Sequence, residues 1–118
     1  MDQVAPFCLL LLGQPTLRRQ LRLGTFAALD QRVGLRYAIS GLDQAETGSY
    51  IAHHLALAGR ADTMFSDDAI ALIHTVSRGL PRLINNLAVQ SLIAAFAAGK
   101  SIVDEASARA AVTEVADE

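Results

Sequence analysis

Apolar positions follow two different rules along this chain. At residues 7–12 and 33–40 they come as a run or in strict alternation, whereas between 43 and 116 they recur every third or fourth residue. Phe7 to Leu12 is a continuous apolar run closed by Gly13-Gln14-Pro15, which predicts a fully buried strand of a parallel sheet leading into a loop. Leu17, Leu21 and Leu23, then Phe26, Ala27 and Leu29, predict one or two short helices between Pro15 and Asp30. The break falls near Gly24, with Thr25 placed to cap the second helix. Val33, Leu35, Tyr37 and Ile39 alternate with Gly34, Arg36, Ala38 and Ser40, the period-two pattern of a second strand.

After Gly41 the pattern turns helical. Asp43 with Glu46 three residues later is a capping box, followed by the stripe Thr47, Ile51, Leu55 and Ala58 and a stop at Gly59. Ser66 caps a second helix, with Asp67 and Asp68 in the first turn and Ala69, Leu72, Ile73 and Val76 on its apolar face. A third helix starts at Pro81 and carries Leu83, Ile84, Leu87, Ala88, Ser91, Leu92 and Ala95, the longest apolar stripe in the chain. Asp104 caps a fourth, with Ala108, Ala111, Val112 and Val115 inward. The expected fold is therefore mostly α: a four-helix bundle over 42–118, preceded by a small α/β part over 1–41 made of two strands and one or two helices.

Composition supports a packed core. Hydrophobic residues make up 52% of the 118 and charged residues 19%, far from the low-hydropathy, high-charge signature of disorder. Abundant alanine, no tryptophan and 5% aromatics favour close helix packing over a β-sandwich. The net charge of −2 argues against a dedicated nucleic-acid surface, although nine of the ten basic residues are arginine. Cys8 is the single cysteine, so neither an intrachain disulfide nor a cysteine-based metal set can form, and a reducing, cytoplasmic setting is expected. The run Val4 to Gly13 lacks a basic flank, contains Pro6 and is too short to span a bilayer, so no membrane insertion is expected.

The candidate chemistry sits at Arg78-Gly79-Leu80-Pro81-Arg82. Gly79 suits the left-handed residue that ends a helix, and Pro81 suits a first helical position that needs no N–H. Arg82 then lies in the first turn, at the positive end of the helix dipole, where a cation gains nothing from the helix itself. Free N–H groups and a guanidinium both favour phosphate oxygens, so the corner can hold an anion; the plainer reading is a solvated arginine at an ordinary helix–helix turn. His53, His54 and His74 make poor metal ligands, since adjacent helical residues point about 100° apart and no cysteine or carboxylate completes a set.

The order strand, helix, arginine, strand, helical bundle with Gly-x-Pro-Arg resembles the C-terminal part of an AAA+ ATPase over nearly the whole chain. Leu12-Gly13-Gln14-Pro15-Thr16-Leu17, Gln31-Arg32-Val33, Phe65-Ser66-Asp67-Asp68-Ala69-Ile70 and Arg78 to Asn86 are together similar to the ATPases of the A component of type II secretion and to their transposition-helper relatives. The resemblance implies roles. Gln14 would lie in the sensor-1 region that orients the attacking water, unless its amide only caps a turn. Arg32 would be the arginine finger presented to a neighbouring subunit's nucleotide; the alternatives are a salt bridge to Asp30, or that Arg36, Arg18 or Arg19 plays the part. Arg82, carried by Gly79 and Pro81, would be the sensor-2 arginine of the helical lid. Asn85 and Asn86, one turn further on, are expected to hydrogen-bond a nearby loop backbone.

A phosphate-cradling Gly-x-x-x-x-Gly-Lys-Ser/Thr loop and an acidic strand end for magnesium are absent from the sequence. ATP and Mg²⁺ are therefore expected only in a full-length context, together with the missing N-terminal nucleotide-binding half, and no ATPase activity is expected of this chain alone. As a homo-oligomer, the complete ATPase would couple hydrolysis to remodelling of a secretion-apparatus protein, or of a transposase and DNA. Two rival readings use the same residues: a non-catalytic interaction module acting through the groove between helices 66–78 and 81–98, and a small helix-turn-helix DNA-binding domain. The second is disfavoured because Leu83-Ile84 follow Arg82 where a recognition helix needs a polar, base-reading face.

Overall fold

Six α-helices, and no sheet, account for the regular structure of residues 7–116, the part described by the computed structural model. They are α1 (Pro15–Leu21), α2 (Ala27–Gln31), α3 (Gln44–Leu57), α4 (Asp67–Ser77), α5 (Pro81–Ala97) and α6 (Glu105–Ala116), with a 3₁₀ turn at Gly24–Phe26. The chain divides into two units, Met1–Ala38 and Ile39–Glu118.

In the first unit the helices form but the strands do not. Phe7 to Leu12 and Val33 to Ser40 are irregular, and Leu9, Leu10, Leu12, Leu35, Tyr37 and Ile39 stand exposed. Cys8 is exposed as well. The part of the apolar run at Val4 to Pro6 lies outside the described residues. The physical reason is that a strand satisfies its N–H and C=O groups only through a neighbour, and a period-two pattern states a preference without supplying one. Helices close their hydrogen bonds within the segment, so α1 and α2 form regardless. Thr25 does not cap α2: it lies inside the 3₁₀ turn, and Phe26 stands at the cap position without a side-chain bond.

The second unit contains the core. Asp43 accepts from the Glu46 N–H at 2.7 Å while the Asp43 N–H donates to Glu46 Oε1 at 3.0 Å, both halves of the capping box that starts α3. Ser66 Oγ accepts from the Ala69 N–H to start α4, and Asp104 Oδ1 accepts from the Ser107 N–H to start α6. Ile51, Ala69, Ile73, Ile84, Leu87, Ala95 and Ala108 are buried, with Leu55, Leu72, Ala88, Leu92, Val112 and Val115 packed around them. Ala58 and Val76, at the ends of their stripes, are exposed instead. The largest helix interface is α5 on α6, followed by α4 on α6, so α6 covers one side of the α4–α5 pair.

Two loops are tied by an isolated parallel bridge between Phe65 and Val103. The Val103 N–H donates to the Met64 carbonyl at 2.7 Å, and the Ser66 N–H donates to the Val103 carbonyl at 2.9 Å. Both bridge residues are buried. The bridge therefore fixes the start of α4 against the segment that precedes α6.

Candidate functional site

Ser77, the last residue of α4, begins the corner that carries Arg82. Two consecutive residues then take left-handed backbone conformations, Arg78 at φ 55° and Gly79 at φ 74°. The turn thus starts one residue earlier than the glycine suggests, and Arg78 adopts a conformation that L side chains rarely hold. Gly79 is buried because its backbone abuts Leu42: the Leu42 N–H donates to the Gly79 carbonyl at 2.8 Å, and a Cβ on Gly79 would meet the Leu42 backbone. Ser77 Oγ accepts from the Gly79 N–H at 3.2 Å and donates to the His74 carbonyl at 3.3 Å.

Leu80 stands at the cap of α5, followed by Pro81 in its first turn. The first turn has no side-chain cap and no acidic residue. Arg82 is exposed there, and among the described residues it has no hydrogen-bonded or ionic partner. The positive end of a 17-residue helix and a free guanidinium thus lie together, an arrangement suited to an anion. Asn85 does not bond loop backbone. Its Oδ1 accepts from the Tyr50 hydroxyl at 3.1 Å and so joins α5 to α3, while Asn86 is exposed.

In the first unit, Gln14 is exposed at the cap of α1, where its side chain makes no capping bond and its carbonyl accepts from the Leu17 N–H at 2.8 Å. Arg32 is exposed at the end of α2. Asp30 is taken by Arg36, whose guanidinium donates to both the side chain and the carbonyl of Asp30 at 2.6 Å. Arg32 therefore has no ion pair among the described residues, whereas its rival Arg36 does. Arg18 and Arg19 are exposed on α1. Gln14 and Arg32 lie in one unit, and Gly79, Pro81 and Arg82 in the other.

His74 and His54 make contacts within the bundle, and His53 is exposed. His74 Nδ1 shares a 2.9 Å hydrogen bond with the Thr47 hydroxyl between α4 and α3, and the His54 ring lies 4.5 Å from that of Tyr50. No group of three metal-ligating side chains comes together among the described residues. A recess of about 240 Å³ beside α3 is lined chiefly by Ile51, Leu55, Phe65 and Ile70, with Arg60 and Asp62 at its rim. Those two form a bidentate pair at 2.9 and 3.0 Å, which lowers the Asp62 carboxyl and raises the Arg60 guanidinium from their ordinary values. The recess thus offers no free charge to a polar ligand. No described helix is long and apolar enough to cross a membrane.

The sequence reading missed two features of this region, the Phe65–Val103 bridge and the contact of Leu42 with Gly79. No local pattern signals either one. Each joins residues more than thirty positions apart through backbone N–H and C=O groups, which all residue types but proline carry in full.

The second unit is thus a capped helical bundle with, among the described residues, an unpaired Arg82 at a helix–helix corner. Along its sequence the chain is similar to the General secretion pathway protein A of Aeromonas hydrophila, with 38% identity over 89 residues that cover 75% of this chain. That similarity supports a relation to the secretion-pathway component. The matched region spans 16% of the length of that relative. No protein-family model and no solved structure matches the chain.

Proposed function

We propose that this chain is the lid, with the adjoining end of the nucleotide-binding domain, of an AAA+ ATPase of the type II secretion A-component kind. In this reading Arg82 contacts the terminal phosphate from the lid, Arg32 reaches the nucleotide of a neighbouring subunit, and Gln14 orients the attacking water. Gly79 and Pro81 shape the corner that presents Arg82. ATP and Mg²⁺ belong to the assembled enzyme, a homo-oligomer that remodels a secretion-apparatus protein. The observation that carries the reading is Arg82 itself: exposed, without an ionic partner among the described residues, and held at the positive end of α5. The similarity to a General secretion pathway protein A supports the secretion context over transposition.

The chemistry required of such residues is electrostatic. Charge spreads over the transferring phosphoryl oxygens in the transition state, and a fixed guanidinium near them lowers the barrier without reorganising. The test joins this chain to an N-terminal half bearing the phosphate loop and follows ATP turnover. Arg82→Ala and Arg32→Ala are each expected to cut turnover by about 100-fold or more while leaving the thermal midpoint in place. Unchanged turnover removes the corresponding role. The 118-residue chain alone is expected to bind a fluorescent ATP analogue weakly, and micromolar affinity contradicts that expectation.

A second reading, a helical interaction module, is favoured by one feature, which lies on the outer face of α5 rather than in the groove between helices 66–78 and 81–98. Val89, Ile93 and Phe96 share that face with Arg82 and Asn86, and Phe96 is 87% exposed. The apolar positions lie on that outer face, while α6 covers one side of the α4–α5 pair.

A further inference from the structure

The segment that enters the bundle and the corner that carries Arg82 meet backbone to backbone. Leu42 donates its N–H to the Gly79 carbonyl, a Cβ on Gly79 would run into the Leu42 backbone, and a Cβ on Gly41 would run into the Arg78 carbonyl. Two glycines therefore make the approach possible, one on each side. The corner is braced from behind by Ser77, whose buried hydroxyl bonds both the Gly79 N–H and the His74 carbonyl. The His74 ring then bonds Thr47 in the first turns of α3, the helix that Leu42 leads into. The path closes on itself: 42, 79, 77, 74, 47 and back along the chain to 42. Pro81 and Arg82 follow directly from it.

We propose that this closed path is a clamp that makes the direction of Arg82 depend on the conformation of segment 39–42, with Ser77 as a positioning residue. α5 is held by α6 and α4, with Ile84 of its first turn already in the core, and the corner adds a second hold at the start of the helix through the Leu42–Gly79 bond. A rotation of the entry segment must either carry the Gly79 carbonyl with it or break the bond between half-buried Leu42 and buried Gly79, a costly alternative. The left-handed Arg78 points the same way, since a strained residue persists where its surroundings over-determine it. In an ATPase, the clamp would hand movement between nucleotide-binding domain and lid to the guanidinium at the phosphate; that consequence rests on the reading of Arg82 given above.

Amide hydrogen exchange and chemical shifts of the 118-residue chain, without nucleotide, test the clamp. Ser77→Ala touches neither Gly41 nor Leu42, yet it is expected to speed exchange of the Leu42 N–H by about tenfold and to shift the Arg82 resonances. The Val103 N–H, bonded to Met64 in the other loop tie, is expected to keep its rate. Gly41→Ala is expected to shift resonances from 77 through 83, whereas Gly24→Ala, where a Cβ meets open space, shifts only its own neighbours. An unchanged Leu42 rate in Ser77→Ala, or changes in Gly41→Ala confined to 40–43, overturns the proposal. Should Gly41→Ala not fold, the Ser77→Ala result decides alone. Because no nucleotide enters the experiment, the clamp and the turnover role of Arg82 fail separately.

Discussion

Arg78 and Gly79 show how much a single Cβ decides in this protein. Arg78 holds a left-handed conformation with a side chain attached, at a cost of about 1 kcal/mol that glycine would not incur. Arg78→Gly is therefore expected to raise the thermal midpoint by a few degrees. Gly79→Ala is expected to do the reverse and more strongly, by about 2 kcal/mol, because both its φ and the Leu42 backbone oppose a methyl group. Thermal unfolding of the two variants checks both signs. At the start of α6, Asp104 is hydrogen-bonded by Lys100 and by the N–H and hydroxyl of Ser107, which hold its carboxyl down at about 2. A carboxyl lowered on folding stabilises the fold above its unfolded value and loses that contribution as pH falls toward the folded one. The midpoint advantage of the native chain over Asp104→Ala is thus expected to shrink between about pH 4 and pH 2 and to be constant near neutrality.

At the scale of the element, α5 has two faces with opposite consequences. Ile84, Leu87, Ser91 and Ala95 are buried, and Ser91 resolves its polarity by donating to the Leu87 carbonyl at 2.6 Å. Leu87→Ala leaves a cavity between α4, α5 and α6 and is expected to cost about 2–5 kcal/mol. Phe96→Ser, on the outward face, is expected to change stability by less than about 0.5 kcal/mol. Chemical denaturation separates the two cases. If Phe96→Ser unfolds the protein as Leu87→Ala does, the outward face is part of the fold. The caps have the same local character: Asp43 with Glu46, Ser66 and Asp104 each satisfy N–H groups that the helix cannot.

For the whole molecule, the hydrophobic core and the side chains packed against it lie, among the described residues, within 42–115. The segment 39–118 is accordingly expected to fold by itself, with a cooperative melt and a midpoint within a few degrees of the full chain; a non-cooperative melt of that segment would contradict it. Residues 7–38 present the opposite case. Their helices close locally, but Phe7, Leu9 to Leu12, Leu35 and Tyr37 leave apolar side chains exposed.

What could be read from the sequence is what short-range physics controls. Helix positions, buried stripes and three side-chain caps follow from spacing and from residues that act within one turn, and they are present in the structure. The exposed Arg82 in the first turn of α5 was legible for the same reason, since Gly-x-Pro-Arg is a local signal. Other features were settled only by how the chain folded. Asp30 pairs with Arg36 rather than Arg32 across a local turn, and distant segments meet where Asn85 bonds Tyr50 rather than a loop and Phe65 bridges Val103. The two strands are the sharpest instance, because alternation expresses a preference for one face while the ladder that makes a strand must come from another segment. Periodicity can settle a helix alone, whereas strands, ion pairs and the clamp at Gly79 depend on which groups the folded chain brings within reach.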